Sequence, residues 1–448
     1  MQYLLRSVNL AAWRGPVLGA ALVAMAALAQ ARSATVEEEP QDRTLSWSAF
    51  GTVGYARSDQ PWHYQRHIDE HGTFKRDTTL GAQLDAQLAP EWSATLQSRL
   101  APAARHDTGW ALRNAWAFAA WRPDNDWLLR AGKLRLPVLL RSEQMDVQQT
   151  YAELRLPSEI YSLLPANDFT GVHLTRSWNL GDGELSLDLY RGHNRLNTRY
   201  WLREGLPGAV PAGALYPDMK VAMQGLVLTW RGPDLTLRSG VHHARVRSTD
   251  GTPLPVRPSW AELGPGLGYW QTRNDLPGPG VATTGDAGNL ILSASVEAAL
   301  GGGWSLAAEA GRGHMRTLES GLSFSGGYVT AYRGWGGLTG YATLAAIRSD
   351  QRAWTWARTL DTTTLPAGVP GAGLLNASMR LYADTIPLYD QQSLTLGAAY
   401  ALTPRSKLKA EWLHARVRGT QFIDRPAGEP LTQRRGVNVL SASYSVVF

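Results

Sequence analysis

Residues 78–100 read TTLGAQLDAQLAPEWSATLQSRL. Leu80, Ala82, Leu84, Ala86 and Leu88 alternate with Gly81, Gln83, Asp85 and Gln87. After Ala89-Pro90-Glu91 the alternation resumes, with Trp92, Ala94, Leu96, Ser98 and Leu100 set against Ser93, Thr95, Gln97 and Arg99. A period of two marks an extended strand, whose successive side chains point to opposite faces. One face of the implied hairpin is small and apolar and carries a Trp. The other is polar and carries Asp85 and Arg99. Each arm has the ~9–11 residues that a tilted strand needs to cross a bilayer. A soluble sandwich shows the same alternation over shorter strands, so the hairpin gains meaning only by recurring.

It recurs down the whole chain. A first strand spans 45–56. Paired strands follow at 110–121 and 127–134, 168–178 and 184–191, 219–230 and 235–245, 289–300 and 304–312, 322–332 and 338–348, and 391–402 and 406–417. A last strand covers 434–448. Within each pair the connection is short. Between pairs it is longer and polar, as at 57–77, 135–167, 246–288 and 349–390, all read as loop. Segment 135–167 holds Pro137, Pro157 and Pro165 and so cannot be one strand. This reading gives an all-β chain of about sixteen strands, with fourteen or eighteen still open. Its short and long connections alternate as they must in an up-and-down antiparallel transmembrane barrel with both termini in the periplasm. Trp92, Trp121, Trp127, Trp178, Trp230, Trp304 and Trp335 all lie beside short turns, which puts an aromatic girdle at the periplasmic interface. Closure is required because lipid offers no partner to an unpaired backbone N–H or C=O.

Composition agrees. The chain has 448 residues, is 44% hydrophobic, and holds 45 Gly, 18 Trp and no Cys, which excludes a disulfide scaffold and thiol chemistry. A mean hydropathy of −0.24 excludes a helical membrane protein. Residues 1–31 read as a secretory signal: Arg6 and Arg14 are its positive region, 15–29 its apolar core, and Ala29-Gln30-Ala31 its cleavage site. Residues 32–44 form a periplasmic lead-in, and 45–448 a single barrel domain without a plug before it. The net charge of +6 is too mild for a nucleic-acid binder. Only Lys75, Lys133, Lys220, Lys407 and Lys409 are lysines; the other basic residues are Arg, whose planar fork suits carboxylate and phosphate, including those of lipopolysaccharide. A GC-rich genome gives the same bias.

Parity assigns Asp85, Arg99, Arg113, Arg130, Asp188, Arg238, His242, Glu309, Lys409 and Glu411 to the inner face. Arg99, Arg113 and Arg130 fall on three successive strands and form a basic ladder, and charged rings on a pore wall set ion preference. Ordinary solvated lumen charges would show the same pattern. His63, His67 and His71 lie four apart and would bind a divalent metal on a helix, but an extended loop separates them, so no metal or other cofactor is expected. Trp354 and Trp356 fit either solute stacking or loop packing. A barrel hydrolase would need a nucleophile beside His173, His242, His243 or His414, and no Gly-x-Ser-x-Gly motif accompanies any of them.

Residues 438–448, NVLSASYSVVF, resemble the terminal insertion signal of Gram-negative outer-membrane barrels, with Phe448 last and Val446, Tyr444, Ala442 and Leu440 at spacing two. Residues 129–137 (LRAGKLRLP) and 407–417 (KLKAEWLHARV) resemble proteobacterial porins. The resemblance implies recognition by the barrel-assembly machinery, an outer-membrane setting among lipid and lipopolysaccharide, a homotrimer, and an inward-folded constriction loop after 129–137. It also implies that Arg141, Glu143 and Asp146 of that loop face the basic wall across an eyelet. The expected activity is passive diffusion of small hydrophilic solutes and ions, mildly favouring anions. A substrate-specific channel for phosphate, organic acids or sugars is the alternative.

Overall fold

The computed structural model describes residues 44–162 and 167–448. The expected signal, all but the last residue of the lead-in, and Pro165 lie outside the described residues. Sixteen strands close into one antiparallel barrel. They are β1 (Leu45–Ser58), β2 (Thr79–Ala89), β3 (Trp92–Pro102), β4 (Trp110–Trp121), β5 (Trp127–Arg135), β6 (Asp168–Leu180), β7 (Gly183–Asn197) and β8 (Asp218–Arg231). Then come β9 (Leu235–Ser248), β10 (Ala287–Gly301), β11 (Trp304–Met315), β12 (Phe324–Trp335), β13 (Leu338–Ser349), β14 (Tyr389–Thr403), β15 (Ser406–Gly419) and β16 (Arg435–Val447). Closure is between β1 and β16, in register from Phe50↔Val447 to Ser58↔Val439.

The alternation read from the opening hairpin sorts the side chains. Leu84, Leu96, Leu189, Leu226, Leu344 and Leu440 stand exposed on the outer face, while their sequence neighbours point inward. On a barrel with no unpaired edge, such an apolar belt is a lipid-facing surface, so the protein is an outer-membrane barrel. Tryptophans ring the short-turn end. Arg176 lies over Trp127 at 4.9 Å and Trp178 at 5.5 Å, and Arg333 over Trp304 at 5.3 Å and Trp335 at 5.7 Å. An arginine held between indoles suits an interface that is apolar on one side and wet on the other.

The long-loop end is more folded than the sequence reading allowed. Residues 349–390 were expected to be loop; they contain two helices, α2 (Gln351–Thr362) and α3 (Ala372–Thr385), after a one-turn α1 (Ser158–Tyr161). Ala353, Trp354, Ala357 and Leu360 form the buried stripe of α2 and pack with Met379 and Ala383 of α3, Tyr269, and Leu431 into a cap core. That stripe was visible in the sequence, but the surrounding Thr, Pro and Gly masked it. Trp354 is buried beneath the Arg418 guanidinium at 4.6 Å. Trp356 meets Trp270 edge-on at 5.1 Å and donates to Glu319 at 2.9 Å. Both indoles are therefore packing groups of the cap.

Candidate pore and constriction

After β5 the chain turns into the barrel. The prolines that bar a strand at 135–167 leave a loop whose described residues hold one 3-10 turn (Gln148–Thr150) and α1. Its anchors run around the inner wall. Arg238 donates to the Pro137 carbonyl, and Glu309 accepts the Leu140 N–H at 2.8 Å, Ser295 Oγ at 2.9 Å, Tyr328 at 2.8 Å and Tyr161. Arg155 forks onto Asp77 at 2.9 and 2.6 Å. Lys409 Nζ donates to the Gln148 and Glu153 carbonyls at 2.5 and 2.8 Å. Glu159 accepts from Gln391 at 2.7 Å. Bidentate and charge-assisted bonds of this kind are the strong ones.

Between these anchors the loop is greasy. Leu136, Val138, Leu139, Leu156 and Ile160 pack against Tyr190, Val221, Met223, Tyr328 and Tyr341 of the wall. Tyr341 fits because residue 397 is glycine: a Cβ there would lie 2.3 Å from the ring. At the level of the loop the wall from β7 to β14 is thus covered on its inner side. The inward residues of β2 to β4, among them Asp85, Arg99 and Arg113, stay partly solvent-exposed. The interior is half dry core and half wet channel, which simple alternation did not foretell.

The ladder residues come together, but not as an open eyelet. Arg99 and Arg113 sit directly opposite each other on β3 and β4. Asp146 pairs with Arg99 at 3.0 Å and also with Arg135. Glu143 pairs with Arg130 at 3.1 Å, and Arg130 also reaches His173 at 2.6 Å. Arg141 crosses to Glu297 on β10. The loop carboxylates therefore touch the wall arginines instead of standing across a gap from them. Asp85 is held by Gln83 at 2.7 Å and Thr95 at 2.6 Å. Among the described residues Arg113 has no ion-pair or hydrogen-bond partner. Asp188 bonds His173 at 3.1 Å, and Glu411 accepts from Tyr341 at 2.8 Å. His242 links Tyr190 (2.8 Å) to Ser293 (3.1 Å), but all three are buried and no carboxylate bonds any of them.

The sequence reading missed Asp77, Arg135, Arg155, Glu153, Glu159 and the inward tyrosines. Only the tyrosines left a signal, since Tyr328 and Tyr332 share one face of β12.

Above the loop lies a chamber of about 1020 Å³, with Arg99, Met145, Asp146 and Gln148 along it and Tyr382, Ile386 and Phe422 of the cap over it. Arg66, Arg76 and Arg199 also line it. Arg199 pairs with Asp107 at 3.0 Å and Asp424 at 2.7 Å. Burial alone would raise the Asp107 carboxyl, but hydrogen bonds from Arg199, Tyr216 and Arg66 hold it far below the usual range. Burial, then the charges of Arg66 and Arg76, push His67 down to about 3. A hydrogen bond to Asp424 raises His63. The three loop histidines share no helix face, and among the described residues no group of three or more His, Cys, Asp or Glu is placed to hold a metal ion.

No family model matches the sequence, and no curated protein matches it. Solved structures similar in fold include the outer membrane channel DcaP of Acinetobacter baumannii (11% identity over 92% of this chain and 100% of that one, TM-score 0.49). Others are an anion-selective porin from Comamonas acidovorans (12%, 90% and 100%, 0.48) and OprB of Pseudomonas putida (8%, 91% and 95%, 0.49). At these distances the likeness adds nothing to what the chain's own geometry says: a closed, sixteen-stranded outer-membrane barrel whose fifth strand feeds an inward loop.

Proposed function

We propose that the protein is a passive channel for small hydrophilic solutes and ions, with a mild preference for anions. The observation that carries this reading is the charged chamber of about 1020 Å³ above the inward loop, lined on one side by Thr79 of β2 and Arg99 of β3. Sixteen strands are enough to enclose an aqueous lumen, and charges on its wall act on passing ions. The loop acids neutralise Arg99, Arg130 and Arg135, which leaves Arg113 on the wall and Arg76 along the chamber, neither paired to an acid among the described residues, to act on the permeant ion. Arg141, Glu143 and Asp146 then set the shape of the narrow region more than its sign. The terminal Phe448, with Val446 and Tyr444, is proposed as the segment read by the assembly machinery, and assembly as a homotrimer is carried over from the resemblance.

A second reading, a channel specific for phosphate, an organic acid or a sugar, draws support from the dry half of the lumen and the folded cap, which leave a narrow route. Planar-bilayer recording of the purified mature chain tests both. Expected are discrete open levels with a small anion-directed reversal potential, shifted towards cations by Arg113→Glu. Block by one solute class alone would favour the second reading. An absence of conductance steps would sink both, and an unmoved reversal potential would remove Arg113 from its role.

A further inference from the structure

On the outer face the alternation of β7, β8 and β9 changes character halfway up. Below, Leu189, Leu226 and Val241 are exposed to lipid. Above them the same face carries three rows of polar residues, set by register. Arg191 lies beside Gln224, which lies beside His243. His193 lies beside Ala222, then Arg245. Arg195 lies beside Lys220, then Arg247. Directly paired positions are about 4.5–5.5 Å apart across strands, and alternate residues about 6.7 Å along them. Five cations and two histidines thus share one small face.

Among the described residues no acidic group pairs with Arg191, Arg195, Lys220, Arg245 or Arg247. Asp286 stands at the edge as the only acid of the hollow there. Ala222 at the centre and Gly288 beside Arg245 leave the face dented, with hollows of about 460 and 320 Å³ between the basic side chains. Immediately below, an apolar groove of about 560 Å³ runs between Leu129, Leu174, Leu189, Leu226 and Val241, and meets the grid at Arg191 and His243.

The height is also defined. Gln224 is six residues from the girdle residue Trp230, and Lys220 ten. At about 3.3 Å per residue and a tilt near 40°, the rows climb from roughly 15 to 25 Å above the periplasmic girdle, so they cross the upper part of an apolar band of about 25 Å and reach its outer edge at Arg195, Lys220 and Arg247. Unpaired cations at that level, over a groove for hydrocarbon, match one amphiphile: a head bearing phosphates on acyl chains.

We propose that the outer face of β7, β8 and β9 is a binding site for a phosphorylated, multiply acylated glycolipid of the outer leaflet, of the lipopolysaccharide kind. The phosphates lie among Arg191, Arg195, Arg245 and Arg247, and an acyl chain lies in the groove below. Arginine suits this task because its fork takes two phosphate oxygens at once and is weakly hydrated. Every group involved faces lipid, so the site is independent of conduction and stands or falls apart from the channel reading.

The test uses the whole mature chain, folded in lipid-free micelles and titrated with diphosphorylated lipid A, the same lipid dephosphorylated, and inorganic phosphate, with bound lipid counted by native mass spectrometry. Diphosphorylated lipid A should bind well above the dephosphorylated form, and inorganic phosphate should not displace it. Removing four charges, as Arg191→Gln, Arg195→Gln, Arg245→Gln and Arg247→Gln together, should weaken binding by about two to three orders of magnitude, from about 1 kcal/mol per basic residue near an anionic surface. The corresponding four Arg→Lys changes should retain most of it, which separates charge from misfolding. Arg348→Gln with Arg416→Gln, outer-face arginines outside the grid, should leave it unchanged. Equal binding of dephosphorylated lipid, displacement by free phosphate, or an equal loss in the Arg348 and Arg416 control would each overturn the proposal. So would loss of self-association instead of lipid in the fourfold glutamine variant.

Discussion

The barrel holds two populations of arginine that differ in company. Inside, Arg99, Arg130 and Arg135 are clamped by carboxylates of one loop, and Arg155 by Asp77. Outside, Arg191, Arg195, Arg245 and Arg247 cluster, and among the described residues no acid is bound to any of them. The arithmetic of desolvation explains the first group. A buried guanidinium without its partner is costly, so the inward arginines that the loop covers meet a loop acid, as Arg99, Arg130 and Arg135 do, or a loop carbonyl, as Arg238 does at Pro137. It does not explain the second. Like charges in adjacent positions repel, and among the described residues the one acid at their edge, Asp286, pairs with none of them. A surface that keeps such repulsion is complete only with a counter-charge from elsewhere, and at this height in a membrane the counter-charge is lipid phosphate.

The sharpest way to break the comparison is to remove an inner partner. Asp146→Ala leaves Arg99 and Arg135 without the carboxylate that pairs with both, and Arg135 is almost fully buried. Stability should fall by about 3–5 kcal/mol, the range for a buried pair broken on one side. Denaturant unfolding of the detergent-folded barrel would read it. A loss below about 1 kcal/mol would mean that water already reaches these guanidiniums, and the contrast between inside and outside would dissolve.

A smaller effect is expected from the outer set. With no lipid present, the fourfold glutamine variant at 191, 195, 245 and 247 should change stability by no more than about 0.5 kcal/mol per site, with a gain as easy as a loss. The same unfolding measurement checks it. A large loss would show that these arginines hold the sheet itself together.

The contrast also explains what the sequence could and could not say. Period-two alternation located every barrel strand, because lipid outside and water or loop inside impose opposite chemistry on successive residues. It ended β7 at Arg191 and β9 at Arg245, whereas the strands run on to Asn197 and Ser248. The expectation failed where polar side chains stay on the lipid side, which is the basic grid itself. The ladder positions Arg99, Arg113 and Arg130 were legible from parity, but their partners were not. Arg155 and Asp77 are 78 residues apart and Gln391 and Glu159 are 232 apart, and no local pattern joins such pairs. The two cap helices were hidden because Thr, Pro and Gly around them resemble loop more than the short stripe of Ala353, Trp354, Ala357 and Leu360 resembles helix.

The smallest effect, confined to the first extracellular loop, concerns the cations along the chamber. His67 lines the chamber, and burial followed by Arg66 and Arg76 pushes it down to about 3. The unfolded loop takes up a proton below about 6.5, while the folded loop does not until near 3. Stability from His67 is therefore whole above 6.5 and is lost as pH falls from there towards 3. His63 runs the other way: its hydrogen bond to Asp424 raises it, so its contribution is full below 6.5 and fades as pH rises through the folded value. Hydrogen-exchange protection across 59–78, corrected for intrinsic rates, should show a shallow optimum between these limits. His67→Gln should remove the acid-side loss alone, and His63→Gln the alkaline-side loss alone. If the acid-side loss survives in His67→Gln, it belongs to another group of the loop, and the crowding of His67 by Arg66 and Arg76 is not its cause.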